Sequence, residues 1–112
     1  MPEENSELSY SMSVMEDNAP ANGFSENSVL IRVSGPDDAP TAGLPIAFSA
    51  DNGAVLLSSD AVTNHYGVAC VGVVSSQVGR CTVTAFVDGE GGRRSAAVTF
   101  THRRSGLTLR LR

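Results

Sequence analysis

Apolar and polar residues alternate with period two along most of this chain, most clearly over residues 63–85, TNHYGVACVGVVSSQVGRCTVTA. In its first run Ala69, Val71 and Val73 fall on one side, and Val68, Cys70 and Gly72 on the other. In its second, Cys81, Val83 and Ala85 share a face opposite Thr82 and Thr84. Successive side chains of a strand point to opposite faces, so each run reads as a strand with one buried face. The polar turn SSQVG joins the two as neighbours. The same reading finds a first strand where Leu8, Tyr10, Met12 and Val14 alternate with serines. A second spans residues 28–34, with Val29, Ile31 and Val33 inward and Arg32 outward. A third spans residues 44–50, with Ile46 and Phe48 inward and Pro45 marking an edge or a strand start. Residues 54–57 make a short fourth, and residues 93–101 a last one with Ala96, Val98 and Phe100 inward.

Turn chemistry separates these runs. MEDNAPANGFSEN and GPDDAPTAG carry Pro, Gly and Asn-Gly, DNG is a tight-turn signal, SSDAV reads as a connection, and DGEGG closes a hairpin. No segment has a helical period long enough to count. About seven short strands with frequent turns predict an all-β protein, an immunoglobulin-like antiparallel β-sandwich. Residues 1–7 read as a disordered extension, 8–101 as the domain and 102–112 as a tail or linker. Phe48 is expected among the most buried side chains, packed between sheets with Ile31, Val71, Val83 and Val98.

Composition supports this reading. With 11 Gly, no Trp and 5% aromatic residues, the chain suits strands joined by tight turns. At 112 residues it is one domain able to fold without metals or disulfides. No apolar run approaches the roughly 18 residues of a membrane span. The N-terminal MPEENSELS lacks the basic and apolar regions of a secretory signal, so export would rely on sequence outside this stretch. Net charge is −4, but unevenly spread: every acid precedes residue 91, while Arg93, Arg94, Arg103, Arg104, Arg110 and Arg112 follow it. Without Lys or interleaved aromatics this tail does not point to nucleic acid. It reads as a solvated last strand and a frayed end; set against Glu3, Glu4, Glu7, Glu16 and Asp17 at the entry, it would also give complementary charges at a junction if copies of this domain stack end to end.

Candidate chemistry is sparse. Cys70 and Cys81 sit on adjacent predicted strands but on opposite faces, which predicts free thiols with Cys70 reactive and Cys81 protected. His65 and His102 lack the partners of a metal site, and no G-x-S-x-G elbow accompanies the Ser, His and Asp residues. Asp88-Gly-Glu-Gly-Gly is too poor in ligands for a calcium loop and precedes no helix that would cradle phosphate. The expectation is therefore no catalytic, cofactor-binding or metal residues and no cofactor.

Several elements in order carry a resemblance. They are Ala21-Asn22-Gly23, Val29-x-Ile31-x-Val33, and Pro40-x-x-Gly43-x-Pro45-Ile46-x-Phe48-Ser49, then Thr63-x3-Gly67-Val68-Ala69-x-Val71-x-Val73. Gly79-x-Cys81-Thr82-Val83-Thr84-Ala85 and Val98-Thr99-Phe100 complete the set. Over about residues 14–100 the chain resembles the bacterial immunoglobulin-like domain of the intimin/invasin type (Big-1). It departs from that pattern in the turn at Gly35, Asp38 and Ala39, and at Cys81, where an aromatic is common. The resemblance implies a non-catalytic spacer in the extracellular stalk of a bacterial surface adhesin, anchored at the outer membrane through a region outside this chain. Its implied partners are neighbouring immunoglobulin-like domains, with a host cell-surface receptor engaged by a distal domain. The isolated domain is expected to be a monomer. The alternative is a module whose own loops contact a host receptor or glycan.

Overall fold

The computed structural model describes residues 8–87 and 92–102. The strands are β1 (Ser9–Glu16), β2 (Asn27–Ser34), β3 (Pro45–Ala50), β4 (Val55–Leu56), β5 (Asp60–Val62), β6 (Val68–Val74), β7 (Gly79–Val87) and β8 (Gly92–Phe100), with one 3-10 turn at Pro36–Asp38. They form two antiparallel sheets, ordered β1-β2-β6-β4 and β5-β3-β7-β8. The inner faces meet in a core of alternate residues: Val29, Ile31 and Val33 of β2; Ala69, Val71 and Val73 of β6; Ile46 and Phe48 of β3; Cys81, Val83, Ala85 and Val87 of β7; Val98 and Phe100 of β8. Each fully buried Val or Ile contributes about 1.5–3 kcal/mol of transfer free energy, which makes this two-sheet seam the main source of stability. Phe48 is buried at 6% exposure, but Phe100, at 1%, is the largest fully buried side chain.

Two differences from the sequence reading have a common origin. SSDAV contains β5, three residues paired with the start of β3 (Pro45↔Val62, Ala47↔Asp60). Three residues cannot display a period, so the strand is defined by its partner alone. The central pair is not a pair: β6 joins β2 and β4, whereas β7 joins β3 and β8. Alternation reports which face is buried and is silent about which strand lies alongside. The segment between β6 and β7 therefore crosses from one sheet to the other. On β1 the register shifts between Val14 and Glu16, and Val14 is exposed, ending the inward alternation after Met12.

β1 and β8 run in the same direction along one side of the sandwich. Arg94 Nε donates to the Tyr10 carbonyl (3.3 Å) near their starts, and the Thr99 amide donates to Asp17 Oδ1 (2.8 Å) near their ends. The chain thus enters the domain at one pole and leaves it at the other. Eight residue steps along β8 separate the poles by about 26 Å.

Candidate functional site

The features with functional potential are the two poles. At the exit pole the segment after β1 wraps the end of β8. The Ala21 amide donates to the Thr101 carbonyl (2.8 Å), and the Thr101 amide donates to the Ala19 carbonyl (2.9 Å). Asn27, with 0% exposure, holds this wrap: its Oδ1 accepts from the Ala19 amide (2.9 Å) and its Nδ2 donates to the Thr99 carbonyl (3.0 Å). The sequence reading left Asn27 in a polar connection and took Asp17 only as one acid of the entry segment; for Asn27, a polar residue at the head of an inward-alternating run was the available signal.

Beside this wrap lies a turn built on Asn22, whose Oδ1 accepts from the Phe24 (3.0 Å) and Ser25 (2.8 Å) amides. The Gly23 amide donates to the Ser75 carbonyl (3.0 Å), bracing this turn against the one between β6 and β7. The paired turns display Phe24 (77% exposed) and Val78 (49% exposed). Phe24 is thus an aromatic held outward by a hydrogen-bonded turn and takes no part in the core.

The entry pole is built on Thr63 and Asn64. Buried Thr63 donates its hydroxyl to the Thr41 carbonyl (2.7 Å) and accepts from the Leu44 amide (2.9 Å). Asn64 Oδ1 accepts from the Tyr66 (2.9 Å) and Val68 (3.1 Å) amides, and the His65 and Tyr66 rings lie 4.1 Å apart on that turn. The Arg94 guanidinium lies over the Tyr10 ring at 5.5 Å, and Arg32 pairs with Asp38 at 3.3 Å in an exposed contact worth at most about 1 kcal/mol.

Charge at the poles corrects the sequence picture. β1 carries Glu16 and Asp17 across the domain, so they sit at the exit pole with Glu26 and Asp51. Arg93 and Arg94 open β8 at the entry pole. Among the described residues the exit pole is therefore anionic, with Glu16, Asp17, Glu26 and Asp51 against Arg80, while at the entry pole Arg32, Arg93 and Arg94 are largely offset by Asp37 and Asp38. Glu3, Glu4, Glu7, Asp88, Glu90, Arg103, Arg104, Arg110 and Arg112 lie outside the described residues, as do the extension 1–7, most of the DGEGG loop and the tail from residue 103.

Both cysteines are free. Cys70 is exposed on the outer face of β6, and Cys81 is buried on the inner face of β7, so a whole sheet separates them. Burial pushes the Cys81 thiol above its ordinary range, and the Asp51 and Asp17 carboxylates add to the shift. Native protein treated with iodoacetamide should gain one adduct, at Cys70, with Cys81 labelled only on unfolding. Equal labelling rates, or a mass two hydrogens low with no adduct, would contradict this arrangement. The raised folded pKa also sets a sign. The stabilisation from a neutral buried thiol is full below the unfolded pKa and is lost as pH rises through the folded one, so Cys81 weakens the fold only in alkali.

Among the described residues no three of His, Cys, Asp and Glu gather as metal ligands, and no helix is long and apolar enough to cross a membrane. The departing turn at Gly35 is the 3-10 turn, with Asp37 and Asp38 at positive φ (62° and 59°). The sequence profile of the bacterial Ig-like domain (group 1) matches residues 9–101. The chain belongs to this family. Among solved structures it is similar to invasin, a bacterial integrin-binding protein, at 30% identity with a TM-score of 0.74, covering 84% of this chain and 19% of that one. It is similar to the D00-D0 domain fragment of intimin at 25% identity and TM-score 0.74, covering 81% of this chain and 46% of the fragment. A glycosyl hydrolase family 2 member from Bacteroides cellulosilyticus shares the fold at 17% identity and TM-score 0.68, covering 82% of this chain and 14% of the enzyme. No curated protein sequence matches. This bacterial Ig-like domain thus spans about a fifth of the invasin chain and under half of the intimin fragment.

Proposed function

We propose that this domain is a non-catalytic spacer in the extracellular stalk of an adhesin held at the bacterial outer membrane by another region of the polypeptide. The observation that carries this reading is the entry of the chain at one pole and its exit at the other, tied by Asn27 and Asp17. A module with that geometry lengthens a polypeptide by its own long axis instead of folding it back. Its poles would meet neighbouring immunoglobulin-like domains, with Phe24 and Val78 supplying an apolar contact and the acidic exit pole facing arginines such as Arg93 and Arg94 at a like entry pole. Each exposed charge pair there is worth only about 0.2–1 kcal/mol and is screened by salt, so the apolar contact sets the stiffness. Receptor binding, as in the integrin-binding invasin, would belong to a distal domain.

The test is an exchange in the adhesin that carries the domain. Replacing residues 8–102 by an unrelated β-sandwich of equal length and pole-to-pole polarity should leave host-cell attachment unchanged, while deleting them should shorten reach and reduce attachment. Loss of attachment on replacement would favour direct binding by this domain.

A further inference from the structure

The outer face of the β5-β3-β7-β8 sheet has a hollow that neither the poles nor the core requires. At its floor is Ala47, flanked along its own strand by exposed Pro45 and Ser49 and across the sheet by Asp60 of β5 and Phe86 of β7. A methyl group among Pro45, Asp60 and Phe86 leaves an open depression of about 260 Å³. The Phe86 ring is half exposed, and the Arg93 guanidinium lies over it at 5.8 Å. Arg93 is the register partner of Phe86 on the β8 side, so the ring stands between the guanidinium and the hollow. The Asp60 carboxylate and the Ser49 hydroxyl make no hydrogen bond or ion pair with any described residue.

We propose that this hollow is a shallow binding site for one neutral hexose ring of a glycan. The chemistry narrows the choice. A purely apolar side chain would cover the carboxylate without compensating it. A cation would suit Asp60 but meet Arg93 beyond the ring; an anion would meet the reverse. A sugar ring offers an apolar face to Phe86 and Ala47 and hydroxyls at its rim that donate to Asp60. The hollow lies below the roughly 300 Å³ at which drug-sized pockets begin, and one ring on an open site binds on the order of millimolar. This inference is independent of the spacer reading, because it concerns a sheet face and not a pole.

The experiment is an amide-resolved NMR titration of the whole chain with methyl glucoside, methyl galactoside, methyl mannoside and N-acetylglucosamine, each to about 100 mM. Saturable shifts are expected at Ala47, Asp60 and Phe86 with at least one of these sugars. Ala47→Gln, which fills the hollow from an exposed position, should weaken binding at least tenfold, and Asp60→Asn several-fold, with the other resonances unmoved. No saturable shift with any sugar would overturn the proposal, as would binding indifferent to Ala47→Gln. Shifts of the same residues by indole or a leucine-rich peptide, at lower concentration than any sugar, would assign the hollow to an apolar partner instead.

Discussion

Replacing Phe100 by Ala is expected to lower the free energy of unfolding by about 3–5 kcal/mol. The ring is 1% exposed at the end of β8, where the two sheets and the Ala19–Ala21 wrap close over it. Its removal loses the transfer free energy of the ring and leaves a cavity that this wrap, pinned by Asn27, cannot collapse to fill. In a domain of this size each kcal/mol moves the melting temperature by about 4–6 °C, so a fall of at least roughly 12 °C is expected in calorimetry. Phe48→Ala belongs to the same range, at its lower end, because Phe48 is 6% exposed and its site admits water more easily. A melting temperature within a degree or two of the parent for Phe100→Ala would refute the assigned seam.

Gly67→Ala is expected to cost about 2–5 kcal/mol, from two separable sources. Gly67 has φ +77°, a conformation that an L-residue adopts at a cost of about 1–2 kcal/mol. An added methyl group would also overlap the Val33 carbonyl oxygen and come within 3.0 Å of the Thr41 amide nitrogen. Neither backbone atom is free to retreat, since Val33 donates to the Gly67 carbonyl (2.8 Å) and accepts from the Thr41 amide (3.1 Å). Gly43 supplies the control: its φ is +78°, but nothing lies within 4 Å of a methyl group there. Urea denaturation should therefore show Gly43→Ala losing only the conformational part and Gly67→Ala clearly more. Equal losses would mean that the close approach at Val33 is not rigid.

In the long strands other than β1, whose alternation fails at Val14, the inward residues were legible. Val29, Ile31, Val33, Ile46, Val71, Val83 and Val98 are buried as their alternation requires, and Arg32 and Cys70 face outward. Alternation is a local consequence of burial on one side, so it survives without knowledge of the partner strand. What it cannot carry is pairing. β5 owes its existence to β3, and the assignment of β6 and β7 to different sheets depends on contacts across the whole domain. The poles were illegible for the same reason. Asn27, Asp17 and Thr63 act through bonds to residues 8, 72, 82, 19 and 22 positions away, and their sequence neighbourhoods look like ordinary polar turns. Glu16 and Asp17 precede the fold's second strand, yet sit at the exit because β1 runs the full length of the sandwich beside β8.

The account rests most heavily on the separation of entry and exit, and a single distance tests it. Spin labels are placed at exposed Ser9 and His102 through Ser9→Cys and His102→Cys, with the reactive Cys70 removed by Cys70→Ser and the buried Cys81 left in place. Pulsed dipolar spectroscopy should then give a narrow distribution centred near about 30 Å, the length of nine to ten strand residues. A distribution centred below about 15 Å would put entry and exit at the same pole, and the domain would fold its polypeptide back instead of extending it.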